Sequence, residues 1–208
     1  MDSLNKYSMD EDKILIACVI AFAPVLLVLI TGLGLATMTA SLNLTNLDTL
    51  IIWVSTTVSM SIVPYMILKI HDGTTWKEIG VSFDLKVYEW IILVFIIGLC
   101  IMLSNRIQTG TAFLILVLQT LAVAINEEVW IRGVLITHLR KMKLNSVVIV
   151  LVSGIVFGFV THMNEPLIDN LLWRFPGGLL LGWIAIKTNR LHLPIMFHFL
   201  NNITSLSL

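Results

Sequence analysis

Between Ile14 and Leu47 the chain holds no aspartate, glutamate, lysine or arginine, and the same holds for Thr49–Leu68, Trp90–Asn105, Ile107–Asn126 and Leu144–Thr161. A helix needs about 20 mostly apolar residues to cross the hydrocarbon core of a bilayer. These runs bracket that length, and they are too many and too long for the interior of a water-soluble chain of 208 residues. Composition agrees: 57% of the residues are hydrophobic and 12% charged, with mean hydropathy +0.93. An ordinary globular chain carries roughly 25% charged residues. The fold class that follows is all-α, a polytopic transmembrane bundle integral to a membrane. Its spans are expected near 14–38, 49–69, 88–105, 109–140, 145–163, 168–187 and 190–207. Pro24 and Pro64 are expected to kink their helices, which neighbouring helices tolerate in lipid.

No linker, repeat or low-complexity tract divides the chain, so 1–208 is expected to form one domain, with 1–105 as accessory helices and 106–208 as the core. Zero formal net charge gives no electrostatic case for nucleic acid as a partner. Cys18 and Cys100 sit inside apolar runs and read as small buried core residues rather than a disulfide. The acidic start "MDSLNKYSMDEDK" lacks the basic n-region of a signal peptide, so the first apolar segment is expected to stay as a helix. Lys6, Lys13, Lys69, Lys77, Lys86, Arg140, Lys141, Lys143, Lys187 and Arg190 fall toward one side of the membrane and only Arg106 and Arg174 toward the other, with Arg132 within a span. The positive-inside rule then puts the N-terminus in the cytoplasm. The polar stretch "HDGTTWKEIGVSFDLK" reads equally well as an interfacial helix or as a loop anchored by Trp76, Ile79, Val81 and Phe83.

Against this background the segment "NEEVWIR" needs explaining, because an ionised side chain in the bilayer is costly and marks a functional site by default. Glu128 and Arg132 are four apart on one helix face, acid first, the favoured order for an ion pair. Glu127 points about 100° away and is left free. His162 closes the apolar run "VSGIVFGFVTH", and His198 and Asn202 share a helix face in "HFLNN", with Asn201 on another. Buried imidazole and amide groups need partners, so this set is expected to converge on one cavity. Gly178 and Gly182 in "FPGGLLLGW" form a small-xxx-small pair for close helix packing. The first helix contributes no such polar group and is expected at the periphery. Depth arithmetic resists convergence. His198 lies about 10 Å and His162 about 25 Å from the inner ends of their spans, so those helices must tilt, start at different depths or re-enter.

Together these motifs resemble the CPBP family, the CAAX proteases and bacteriocin-processing enzymes of the Abi group. The family signatures are E-E-x-x-x-R, then F-x-x-x-H, then H-x-x-x-N or H-x-x-x-D, on successive membrane helices. "EEVWIR" fits the first and "HFLNN" the third, and the likeness extends over about residues 110–205. The second departs from the pattern: position 158 is glycine, and Phe157 precedes His162 by five residues rather than four. Such a shift rotates His162 by about 100° relative to Phe157 unless a bulge absorbs it.

The resemblance implies a four-helix catalytic core and an intramembrane endopeptidase acting on a peptide or lipidated protein substrate, with no nucleic acid. It also implies a prokaryotic plasma membrane and roles in bacteriocin processing or self-immunity. Glu127 is then the general base for water, His162 polarises that water, and His198 with Asn202 meets the oxyanion. Glu128 and Arg132 support the helix. No cofactor is expected. The alternative is Zn²⁺ on Glu127, His162 and His198, since one glutamate and two histidines suit that ion. The other readings are a non-catalytic immunity or scaffold protein of the same fold, and a transporter with a proton relay.

Overall fold

The computed structural model describes residues 2–40, 47–104 and 110–207, with side chains from residue 11 to residue 205. Among these residues the chain is all helix and loop. Seven helices follow in order: α1 (Asp2–Thr39), α2 (Leu47–Asp72), α3 (Val87–Ser104), α4 (Gly110–Lys141), α5 (Ser146–Val160), α6 (167–188) and α7 (His192–Ser207). They match the seven expected spans. Helices α1 to α4 are long and apolar enough to cross a membrane, and α5 is a shorter apolar helix. Arg106, and the expected boundary between accessory and core parts at 105/106, lie outside the described residues.

Helix α4 is the axis of the bundle. Every residue from Asn126 to Leu139 is buried, with α1, α2, α5, α6 and α7 packed around it. Helix α3 leans on α7 from outside. Four helices widen into π-helical segments: Thr57–Ile62 in α2, Val129–Leu135 in α4, Val156–Val160 in α5 and Asn170–Arg174 in α6. Such widenings are rare and cluster at functional sites. Here two lie beside the polar residues singled out above.

Helix α1 lies at the edge of the bundle, as expected, with most of its apolar stretch unburied. Its outer face is open, with Leu26, Leu29, Ile30 and Leu33 exposed, but its inner face sits directly on the π segment of α4. The cause is Pro24, through which α1 stays helical. Proline has no N–H to give to the carbonyl four residues earlier, so Ile20 is left with a free oxygen. The Trp130 indole Nε1 donates to that oxygen at 2.6 Å, and both residues are fully buried. A second carbonyl, Lys13, meets His138 Nε2 at 2.9 Å. The first helix therefore contributes backbone polarity to α4, beside one side-chain contact to α2, Thr31 Oγ1 to Ser59 Oγ at 3.1 Å. Trp130→Phe removes the Nε1 donor and strands the Ile20 carbonyl, and its smaller ring leaves a gap as well. Thermal unfolding in detergent should show a loss of about 1–3 kcal/mol, the cost of one unsatisfied buried acceptor. An unchanged midpoint would mean that this bond contributes nothing.

Helices α5 and α6 cross in contact through their backbones. A Cβ on Gly178 would lie 3.1 Å from the Gly154 Cα, and one on Gly182 would lie 2.5 Å from the Ser153 hydroxyl. The expected small-residue pair is thus the seam of a helix crossing, as close packing in lipid requires. The stretch 73–86 is a loop, not an interfacial helix. Trp76 stacks on Tyr65 with centroids 3.8 Å apart, Ile79 is buried, and Phe83 is fully exposed. Cys18 is exposed on α1 rather than in the core, and Cys100 is half-buried; both are free thiols.

Basic residues gather at one end. Lys141 pairs with Asp72 at 3.0 Å, and Arg190 pairs with Asp84 at 3.1 Å and with buried Glu89 at 3.0 Å. Arg140 donates to the Ile186 carbonyl at 3.1 Å. This end ties the α2–α3 loop to the α6–α7 turn, and it holds the lower halves of the polar helices in register.

Candidate active site

Glu127 and Glu128 close the α-helical part of α4, and Arg132 sits in the π segment that follows. Arg132 Nη1 meets Glu128 Oε1 at 3.0 Å, and neither side chain has any exposed area. The guanidinium is further held by the Gly178 carbonyl, 3.2 Å from Nη2, and by the Phe157 ring, whose centroid is 4.5 Å from Cζ. The α5–α6 seam thus delivers two of the three contacts of the arginine.

Glu128 does more than pair with arginine. Its Oε1 also lies 2.9 Å from His198 Nδ1. A carboxylate only accepts, so Nδ1 carries the proton of that bond and Nε2 is the nitrogen presented elsewhere. Nε2 lies 3.9 Å from Glu127 Oε2, an oxygen that is buried and has no hydrogen-bond partner among the described residues. The two adjacent glutamates are therefore unlike: Glu128 is held through Oε1 by both the guanidinium and the imidazole, with its Oε2 buried and unpartnered among the described residues, whereas Glu127 meets only His198, at 3.9 Å. The Glu128–His198 bond escaped the sequence reading. One signal for it was present, since a buried carboxylate has about four lone-pair sites and one arginine cannot fill them.

His162 is reached through the π segment of α5. The Thr161 N–H donates to the Val156 carbonyl at 3.1 Å, a five-residue span that takes up one extra residue. This is the bulge that the five-residue Phe157–His162 spacing demands. The rings meet with centroids 5.5 Å apart and planes 80° from parallel. His198 meets the same Phe157 ring at 5.2 Å and 84°. The two histidines therefore gather on one phenylalanine, which also carries the Arg132 guanidinium, and the depth problem is resolved through this shared ring. Phe157 orients the cluster as well as packing it.

A cavity of about 870 Å³ opens among α2, α4, α6 and α7, and His162, His198, Asn202, Asn201 and Arg174 line it. Three of the four expected residues therefore converge on it. Glu127 does not line it; its side chain, 8% exposed, reaches the cavity across His198. The reason is its position one residue before Glu128, which turns it by about 100°. Asn201, placed by helical geometry on a different face, also borders the cavity, which is wide enough to take in both faces. Arg174, near the outer end of the expected span 168–187, lies in α6 and borders it too.

Among the described residues no three His, Cys, Asp or Glu side chains are grouped to hold one metal ion. Glu127 and His198 are neighbours, but the third group of the expected Zn²⁺ set, His162, is not grouped with them. The arrangement offers an imidazole oriented by Glu128, a second imidazole and an amide on one cavity, with the Glu127 carboxylate buried behind the first imidazole. Those are the parts needed to deprotonate water and stabilise an oxyanion.

Residues 108–204 match the family model described as Type II CAAX prenyl endopeptidase Rce1-like. No curated protein and no solved structure matches the chain. The matched stretch contains α4, α5 and α6 and most of α7, and with them Glu127, Glu128, Arg132, His162, His198 and Asn202.

Proposed function

We propose that this protein, whose residues 108–204 match the Type II CAAX prenyl endopeptidase Rce1-like family model, is a membrane-embedded peptidase that cuts peptide bonds with a water activated by Glu127. One observation carries this reading: Glu127 Oε2 is buried, lacks a donor and stands 3.9 Å from His198 Nε2. Glu128 Oε2 is also buried without a partner among the described residues, but Glu128 is committed through Oε1 to Arg132 and His198, which leaves Glu127 as the carboxylate free to accept a proton.

The chemistry then runs on the residues of this chain. Water held by Glu127 and His162 gives a proton to Glu127, and its oxygen attacks the scissile carbonyl. Charge moves to the carbonyl oxygen, where the Asn202 amide donates. Glu128 holds Nδ1 of His198, so the ring is fixed with Nε2 turned toward Glu127 and the reacting carbonyl, where it makes the second contact to the oxyanion. The C–N bond breaks as Glu127 returns its proton to the leaving amine. Glu128 and Arg132 position the imidazole and do not touch the substrate. Substrates are membrane-associated peptides or lipidated protein tails entering the cavity. The small size of the chain and its short loops favour peptide processing of the bacteriocin and self-immunity kind. The orientation that fits is N-terminus and basic end in the cytoplasm of a prokaryotic plasma membrane.

Asn202 tests this chemistry against a zinc mechanism. Removing one oxyanion donor costs about 10² to 10³ in rate. Asn202→Ala should therefore lose that much, and Asn202→Asp at least as much, because it sets a negative charge beside the oxyanion. An aspartate could instead join a Zn²⁺ shell and preserve activity. Metal analysis of the chelator-washed enzyme completes the experiment. Stoichiometric zinc, with activity lost on its removal and restored on its return, defeats direct hydrolysis.

A further inference from the structure

The chemistry above leaves Arg174 without a task. Its side chain borders the cavity shared by His162, His198 and Asn202, and among the described lining residues it alone carries a fixed charge. It is also braced. Arg174 Nη1 donates to Asn170 Oδ1 at 3.2 Å, and buried Asn170 donates Nδ2 to the His162 carbonyl at 2.8 Å. Two hydrogen bonds thus fix the guanidinium to the backbone of a site residue. The remaining contact is loose: Nη2 lies 3.5 Å from Glu165 Oε2, with the two side chains 27% and 40% exposed. Glu165 belongs to the turn just after His162, where the chain leaves α5.

A cation braced on one side and loosely paired with a carboxylate on the other is a carboxylate site with a provisional occupant. A part-exposed ion pair at that distance contributes little, so one carboxylate can replace another cheaply. The planar guanidinium fork suits a single carboxylate. A phosphate, carrying close to two negative charges, would find no second fixed cation lining the cavity. We propose that Arg174 determines substrate specificity by binding a carboxylate of the substrate peptide, and that Glu165 occupies this position until the peptide arrives. This rests on the peptidase reading and adds to it. The bond cut must lie close enough to a carboxylate for both to share one cavity. That carboxylate is either the peptide C-terminus or an acidic side chain.

Three peptides of one sequence, assayed with the full chain in proteoliposomes, separate the sources: a free acid, its C-terminal amide, and the amide with an aspartate near the end. Hydrogen bonds to charged groups are worth enough that kcat/KM should favour the bound form roughly 10- to 100-fold, mostly through KM. If the acid alone is favoured, the terminus is the ligand; if the aspartate peptide recovers the rate, a side chain serves. Arg174→Gln should collapse the ratio, Arg174→Lys should keep part of it, and Glu165→Gln should lower KM for the favoured peptide by removing its competitor. Lysine retains the charge, so it guards against a mere folding defect in the glutamine variant. Equal cleavage of all three peptides, or a preference that survives Arg174→Gln, overturns the assignment and leaves the peptidase standing. If no peptide is cut, the peptidase reading fails on these substrates, and binding of acid against amide to the inactive Glu127→Gln chain decides the carboxylate site independently.

Discussion

Glu127→Gln is expected to abolish peptide hydrolysis while leaving the protein inserted, monodisperse and as heat-stable as its parent. General-base catalysis is worth about 10² to 10⁴ in rate, and an amide cannot take the proton of water. The fold should not notice, because Glu127 makes no hydrogen bond through the oxygen that faces His198, 3.9 Å away. Glutamine fills the same volume. Glu128→Gln should behave otherwise. It removes the charge that meets Arg132 at 3.0 Å and weakens the acceptor that holds His198 at 2.9 Å. It should therefore lower both protein level and activity. The measurements are turnover of a fluorogenic peptide and the unfolding midpoint of each variant. A fully active Glu127→Gln beside a dead but well-folded Glu128→Gln would reverse the roles given to the pair.

The difference between these two glutamates was legible from spacing alone, since only one of them sits four residues before Arg132. The seven helices were legible for a similar reason: lipid offers no partner to a free backbone group, so long uncharged runs have only one spanning form available to them. What stayed hidden has physical causes too. A π segment is one extra residue in a helix, and composition does not reveal it. Only the interval from Phe157 to His162 betrayed one, through a motif that was a residue too long. The seat of α1 was hidden because a carbonyl oxygen has no residue type, although Pro24, four residues beyond Ile20, announced which carbonyl would be free. Arg174 falls inside the expected span 168–187, but its place on the cavity wall was hidden because a π turn in α6 sets which way it faces. The recess of Glu127 depends on which side His198 approaches from, and pairing across helices is invisible to spacing within one.

The largest effect on stability is expected at Arg132. Arg132→Met leaves Glu128 buried with no cation, and breaking a buried ion pair from one side costs about 3–5 kcal/mol. It also strips a donor from the Gly178 carbonyl and the cation from the face of Phe157, so the α4, α5 and α6 contacts loosen together. The variant should accumulate poorly and unfold at much lower denaturant concentration. Replacing both partners should hurt less than replacing one, because a neutral pair leaves no uncompensated charge in the bundle. In Glu128→Gln/Arg132→Met an amide oxygen remains to accept from His198 Nδ1. The double variant should therefore regain stability over Arg132→Met alone while hydrolysing slowly, since an amide oxygen orients the His198 ring more weakly than a carboxylate. A double-mutant cycle on unfolding free energies measures this coupling directly. Additive losses, or an Arg132→Met chain as stable as its parent, would show that the pair is not what holds the motif helix, and that the Gly154–Gly178 seam positions His198 without it.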